Sequence, residues 1–275
     1  KTMEDKHVAL HNLDIWRKEP SERKTALFSV FDGHGGSEIA TYAAAHVPAA
    51  FVEAGGEASD DTMKRTFEIL DARITARVEH EKWRGGATAV VAAVDEKQVV
   101  FGWCGDSAML VVRQLGCERV TTCHSTTNKA EAARVEAAGG ELIFLQGELR
   151  VNGVLNVTRA LGDVNGRPMI ISEPETLVME RTLNDYALIL ACDGVSEELS
   201  NKRIFCMLKT FVQEAPLEQW QQLPGFICEA AKSVGSGDNL TCMVVFLRPP
   251  ADLWALFHPD PDSDEEEKKQ ETVEE

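Results

Sequence analysis

Residues 87–113, ATAVVAAVDEKQVVFGWCGDSAMLVVR, read as three consecutive strands, with DEKQ carrying the first reversal and GDS the second. Upstream, TALFSVFD (25–32) is a shorter β-rich run that ends in an Asp. Between them, Ser37 can cap a helix that runs through small residues to about Phe51. A second helix over 62–81 places Phe67, Leu70, Ile74 and Val78 on one face. Downstream, a helix at 128–138 leads into a strand-rich stretch, 142–180, and YALILACD (186–193) reads as a buried strand. Two helices near 197–213 and 217–234 precede a last strand, TCMVVFL (241–247). Strands therefore cluster between pairs of helices, without the βαβ alternation of a doubly wound sheet. The expected class is α+β with antiparallel sheets.

The chain has 275 residues, a net charge of −17, 44% hydrophobic and 27% charged residues. These are globular values, and no internal repeat or flexible linker divides residues 1–250, so one domain is expected there. Residues 251–275 are expected to form a disordered tail: its last stretch, PDPDSDEEEKKQETVEE, carries nine acids against two lysines. The acidic balance excludes a nucleic-acid backbone or an anionic membrane as the main partner. No apolar run approaches the ~20 residues that span a bilayer, and the start, KTMEDKHV, is not a signal peptide. The absence of an initiator Met reads as a piece of a longer chain. Seven cysteines without a CxxC pair exclude a zinc ribbon and speak against a secreted disulfide scaffold. A reducing compartment is expected, the cytoplasm with the nucleus also open, and a monomer.

Four aspartates mark apolar strands that give way to Gly, Asn or Ser: Asp32 in FSVFDGHGG, Asp106 in FGWCGDSAM, Asp193 in LILACDGVS and Asp238 in VGSGDNLTC. A carboxylate at a strand end sits at the rim of a sheet, where several ends can converge. Gathered carboxylates repel each other and need cations, and hard oxygen ligands suit Mg2+ or Mn2+. Two such ions can hold a water and neutralise a phosphoryl group. Any single Asp-Gly is more often simply a turn, so spacing alone leaves both readings open.

The strings FSVFDGHGG, WCGDSAMLV, RVNGVLNVTRALGD, LILACDGVSEEL and GSGDNLTCMVVFL, in that order after MED, resemble the metal-dependent Ser/Thr protein phosphatases of the PP2C (PPM) family. The resemblance covers residues 3 to about 247, and the wording of MEDKHV, ARVEAAGG and MVVFLR is similar to the calmodulin-dependent-kinase phosphatase branch. It implies a β-sandwich of two antiparallel sheets flanked by helix pairs, with two Mn2+ or Mg2+ ions at one end and a weaker third. It also implies phosphoprotein substrates hydrolysed by direct attack of an ion-activated water. Asp32 matches the bridging carboxylate, Gly33 a backbone-carbonyl ligand, and Asp193 and Asp238 the ligands of one ion. Glu4 matches the acid on the other, with Asp5 acting through water, and Asp106 lies near the third site. His34 matches the general acid. A His two residues from a bridging Asp is placed to protonate a leaving alkoxide.

Several positions depart from the family pattern. The phosphate-gripping Arg would fall just upstream of Lys1, together with a first strand. Ser196 and Glu197 stand where an aromatic and an Asp are usual, and Thr158 replaces a Ser. TTCHSTTNKAEA lacks the usual Asp-His-Lys-Pro wording. Arg150 and Arg159 can bind phosphate or pair with a domain carboxylate. No cysteine heads a CxxxxxR loop, which speaks against a thiol nucleophile. The rival of another class is a PP2C-like pseudophosphatase used as a binding scaffold. Loss of Asp32, Asp193 or Asp238 would favour it, and all three are present.

Overall fold

β1 (Lys6–Leu10), β2 (Ala26–His34), β3 (Gly86–Val94) and β4 (Gln98–Cys104) form an antiparallel meander in a computed structural model that describes residues 2–21 and 23–258. β5 (Ala108–Arg113) and β6 (Gly116–Arg119) are a hairpin at one edge of a second sheet. β7 (Leu142–Leu145) and β8 (Glu148–Val151) stand apart as a separate hairpin. β9 (Leu161–Gly162) pairs the start of β3, and β10 (Glu175–Glu180) closes the first sheet against β4. β11 (Ala187–Ala191) and β12 (Cys242–Phe246) complete the second sheet, in the order β12-β11-β5-β6. Every named pairing is antiparallel, as the clustering of strands requires.

Alternation along the strands sorts side chains between two apolar layers. In β2, Phe28 and Val30 enter the larger cluster, which joins the two sheets, while Leu27 and Phe31 enter the smaller one. β3 and β4 split in the same way, with Val90, Phe101 and Trp103 in the larger cluster and Ala89, Val91 and Val100 in the smaller. α1 (Glu38–Ala54) and α2 (Asp60–Glu81) bury their apolar stripes on the smaller cluster. The expected stripe of α2 is present, with Phe67, Leu70 and Ile74 fully covered. Gly102 permits its close approach, because a Cβ there would collide with Met63 and lie 3.1 Å from the Phe67 ring. α3 (Lys129–Ala137) and the single-turn α4 (Asp193–Ser196) precede α5 (Asn201–Glu214), α6 (Leu223–Ser233) and α7 (Pro250–Phe257), and these last three cover the second sheet.

Three local expectations change. The Ser37 side chain makes no capping bond to α1. α2 begins two residues early because Ser59 accepts from the Thr62 N–H. The domain boundary expected at 250 falls at the start of α7. PADLWALF (250–257) is apolar although the chain beyond it is acidic, and its Leu253 and Trp254 bury in the larger cluster. Trp254 Nε1 donates to the Ala215 carbonyl at 2.9 Å. The tail expected beyond residue 258 lies outside the described residues. Trp254→Ala is expected to lower the free energy of unfolding by about 3–5 kcal/mol in urea titrations, the usual cost of deleting a buried large aromatic. Unchanged stability would detach α7 from the domain.

Candidate metal centre

Asp32 follows Phe28 and Val30 on the same side of β2, so it extends the inter-sheet layer to its end. Asp106 lies in the turn by which the chain leaves β4 for β5, crossing from one sheet to the other. Asp193 opens α4 directly after β11. The two sheets thus deliver these acids to a common rim. Ligand atoms of Asp32, Cys192 and Asp193 lie within 4.8 Å of one another, and so do those of Asp106, Asp193 and Glu197. Asp193 belongs to both groups. Two strand-end expectations need correction: Asp32 lies inside β2, whose pairing continues to His34↔Gly86, and Asp238 precedes β12 in the loop after α6.

Residues 238–241 draw the beginning of the chain onto this rim. Asn239 Oδ1 accepts from the Glu4 N–H at 2.9 Å, and Thr241 Oγ1 donates to Asp5 Oδ2 at 2.6 Å. Asp238 Oδ1 accepts from the Asn239 N–H at 2.6 Å and shares a concavity with Asp193, Gly194 and Glu197. Gly33 sits where a Cβ would come within 2.7 Å of the Glu4 carbonyl oxygen, so only glycine admits this approach. Asn239 and Thr241 are functional positions that the sequence reading passed over, although both stand inside the quoted GSGDNLTC string.

The electrostatics of this group call for a cation. Burial, then the charges of Asp193 and Asp5, push the Asp32 carboxyl far above the usual carboxylate range. Asp193 and Asp106 are also raised, each chiefly by burial. Asp5 is 4% exposed, and its Oδ1 has no hydrogen-bond partner among the described residues. Such an orphaned buried oxygen beside other carboxylates is a cost that a coordinated ion removes. Beside the Cys192 thiol, which burial keeps in its protonated form, the donors are carboxylate oxygens, and these fit Mg2+ or Mn2+; Glu197, despite its extra methylene, reaches the Asp106 side of the group.

His34 stands at the mouth of the rim with Nε2 2.6 Å from Asp163 Oδ2. Burial disfavours its charged form, but the hydrogen bond and charge of Asp163 outweigh this and raise its pKa. Asp163 occupies a left-handed turn (φ 42°), and its N–H donates to the Gly85 carbonyl at 3.0 Å. The same turn is fixed to α2 by Arg167, whose Nη2 reaches both Asp71 oxygens at 2.6 and 2.7 Å. A Cβ on Gly86 would lie 2.8 Å from His34 Nε2 and collide with Asp163, so this residue too has to be glycine. Asp163 closes the quoted RALGD string, yet nothing in its local sequence shows that it meets a His 129 positions away.

The protein phosphatase 2C family model matches residues 1–240 of the chain. The chain belongs to the protein phosphatase 2C family. It is 40% identical to the protein phosphatase fem-2 of Caenorhabditis elegans, over 95% of this chain and 60% of that protein. It is 32% identical to human protein phosphatase 1F, over 91% of this chain and 55% of that one. The chain therefore spans about half to three-fifths of the length of these relatives. A solved structure of a C. elegans sex-determining protein superposes with a TM-score of 0.88 at 40% identity, covering 94% of this chain and 64% of that one. The serine-threonine phosphatase 2C of Toxoplasma gondii shares the fold, with a TM-score of 0.70 at 20% identity over 89% and 94%.

Within this protein phosphatase 2C fold, the two arginines left open by sequence are engaged elsewhere. Arg150 bonds Glu148 and the Val154 carbonyl. Arg159 pairs with Glu131 at 2.7 Å, and Glu131 also accepts from Arg134 and Thr158. Glu131 is buried. Burial raises its pKa, but the Arg159, Arg134 and Thr158 hydrogen bonds prevail and hold it at about 2, against an ordinary 4.5. Its stabilisation is thus complete above the ordinary value and disappears as pH falls through the folded one. Glu131→Gln is expected to cost about 3 kcal/mol at pH 7, because two guanidinium groups lose their buried anion. Urea titrations of both forms should converge as pH falls from about 5 towards 2. A pH-independent gap would show that the carboxylate charge contributes nothing.

Proposed function

We propose that the chain is the catalytic domain of a metal-dependent protein Ser/Thr phosphatase acting on phosphoserine and phosphothreonine in proteins. One observation carries this reading: carboxylates from both sheets converge on one rim beside the His34–Asp163 pair. Asp32, Asp193 and Asp238 would hold one divalent ion, and Asp32, the Gly33 carbonyl and Glu4 a second, with Asp5 acting through water. Asp106, Asp193 and Glu197 offer a third position. Bound there, Mn2+ or Mg2+ would supply the positive charge that accepts a phosphate dianion and activates a water for direct attack on phosphorus. His34, aligned by Asp163, is placed to give a proton to the departing Ser or Thr oxygen. Asn239 and Thr241 keep Glu4 and Asp5 against the rim, so the geometry depends on segments at opposite ends of the domain. The names of fem-2 and protein phosphatase 1F as phosphatases support the reading. All seven cysteines are free, which fits a reducing compartment such as the cytoplasm.

Hydrolysis of p-nitrophenyl phosphate and of a phosphothreonine peptide should require Mn2+ or Mg2+ and stop on adding EDTA. Asp193→Asn should fold normally and lose on the order of 10²-fold or more in turnover at limiting Mn2+, since removing a ligand exceeds the outer-shell effect of 10–100-fold. Thr241→Val tests the outer shell: it should weaken Mn2+ affinity by about 10-fold with little change in turnover at saturation. Metal-independent turnover would refute the proposed chemistry.

A further inference from the structure

A cavity of about 390 Å3 opens directly beside His34 and Asp163. Its walls are mostly apolar, with Val78 and Trp83 from the end of α2 and the turn beyond it, Val151, Val154 and Leu155 from β8 and its continuation, and Ile170, interrupted by Arg84, Asn152 and Asn165. Its size falls in the range of sites that take ligands, about 300–1,000 Å3. The wall does not end at the cavity. Val154 is 65% exposed, and the neighbouring β7–β8 hairpin presents Ile143, Phe144 and Leu145 to solvent, Phe144 at 70%. A Cβ on Gly153 would lie 3.7 Å from Ile143 Cδ1, so hairpin and cavity wall are adjacent. Exposed apolar residues on one short hairpin, continuous with an apolar cavity, mark a recognition surface rather than scattered surface packing.

Its occupant follows from where it opens. His34 and Asp163, the two side chains that would handle the leaving oxygen, line the cavity, so a side chain next to the group being dephosphorylated is within its reach. We propose that this cavity is a subsite for a large apolar side chain flanking the phosphorylated Ser or Thr, and that the enzyme selects phosphoprotein segments carrying one. The inference rests on the phosphatase reading and names the substrate feature it would select. The alternative means of selection, cationic side chains gripping a neighbouring acid, is weak here. Apart from His34, which the Asp163 carboxylate engages, Arg84 is the one basic side chain in the cavity lining, and Arg150 and Arg159 are bonded to Glu148 and Glu131.

The test uses phosphothreonine peptides that are identical except for Leu or Phe against Ser at the flanking positions, assayed with Mn2+ beside p-nitrophenyl phosphate. The apolar peptides should have a kcat/KM higher by about 10-fold or more, expressed mainly in KM. Val154→Asp should erase that preference while leaving the thermal transition unchanged. In parallel, calorimetry with non-hydrolysable phosphonate versions of the same peptides measures binding directly. Failure to turn over p-nitrophenyl phosphate would overturn the phosphatase reading, and the calorimetric ranking would still decide the subsite. Equal affinities for apolar and serine-flanked peptides, or a preference that survives Val154→Asp, would overturn the subsite itself.

Discussion

Mutual repulsion among Asp5, Asp32, Asp106 and Asp193 is the constraint around which the rest of the molecule is arranged. Asp32, Asp106 and Asp193 are ordinary acids in water, and folding carries each of these three into a place where its charged form is disfavoured. The two sheets and the helices on them supply the opposing force, through the apolar layers that hold the strand ends in register. A site that unfavourable without cations is also one that binds them strongly, because the ion relieves a penalty already present in the folded chain. Ion binding and domain stability are consequently linked, and an ion that binds only the folded state stabilises it by mass action.

Two supports keep the rim from relaxing outwards. Asn239 and Thr241 tie the chain's beginning to the loop before β12, across more than 230 residues of sequence. On the other side, the Arg167–Asp71 fork fixes the 162–167 turn to α2, and that turn carries Asp163 to His34. Neither support touches the space between the carboxylates. Both act by removing conformational freedom from side chains that the chemistry needs in one place.

How much of this was legible beforehand differs by element. The three strands over 87–113 and the two helices after Asp32 could be read because runs of Val, Ala and Phe and the stripe through Phe67, Leu70 and Ile74 are local patterns. The gathering of acids was legible only through the resemblance that their strings carry, since the spacing of Asp32, Asp106, Asp193 and Asp238 alone is as compatible with turns as with a shared site. The parts that escaped were long-range. Nothing near Asp163 specifies His34, and nothing near Arg159 shows that Glu131 takes up its charge. α7 was missed because the acidic composition after it masked an eight-residue helix, apolar but for Asp252, whose burial depends on a groove made by other helices.

The charge distribution leads to one more step. A chain of net charge −17 opposes the approach of any anion, so on the proposed function its attraction for a phosphate dianion would have to be concentrated in the small rim where the acids would hold cations. That arrangement supplies chemistry but little discrimination, because every phosphoserine presents the same dianion to the same ions. Arg159 and Arg167 are committed to Glu131 and Asp71, and Arg150 to Glu148 at the surface, which leaves Arg84 as the basic side chain in the cavity wall. What remains next to the reacting groups is the apolar wall from Trp83 to Val154, with the hairpin beyond it. On the proposed subsite, discrimination among substrates would come from apolar surface removed from water, a force that an acidic protein can apply without opposing its own field.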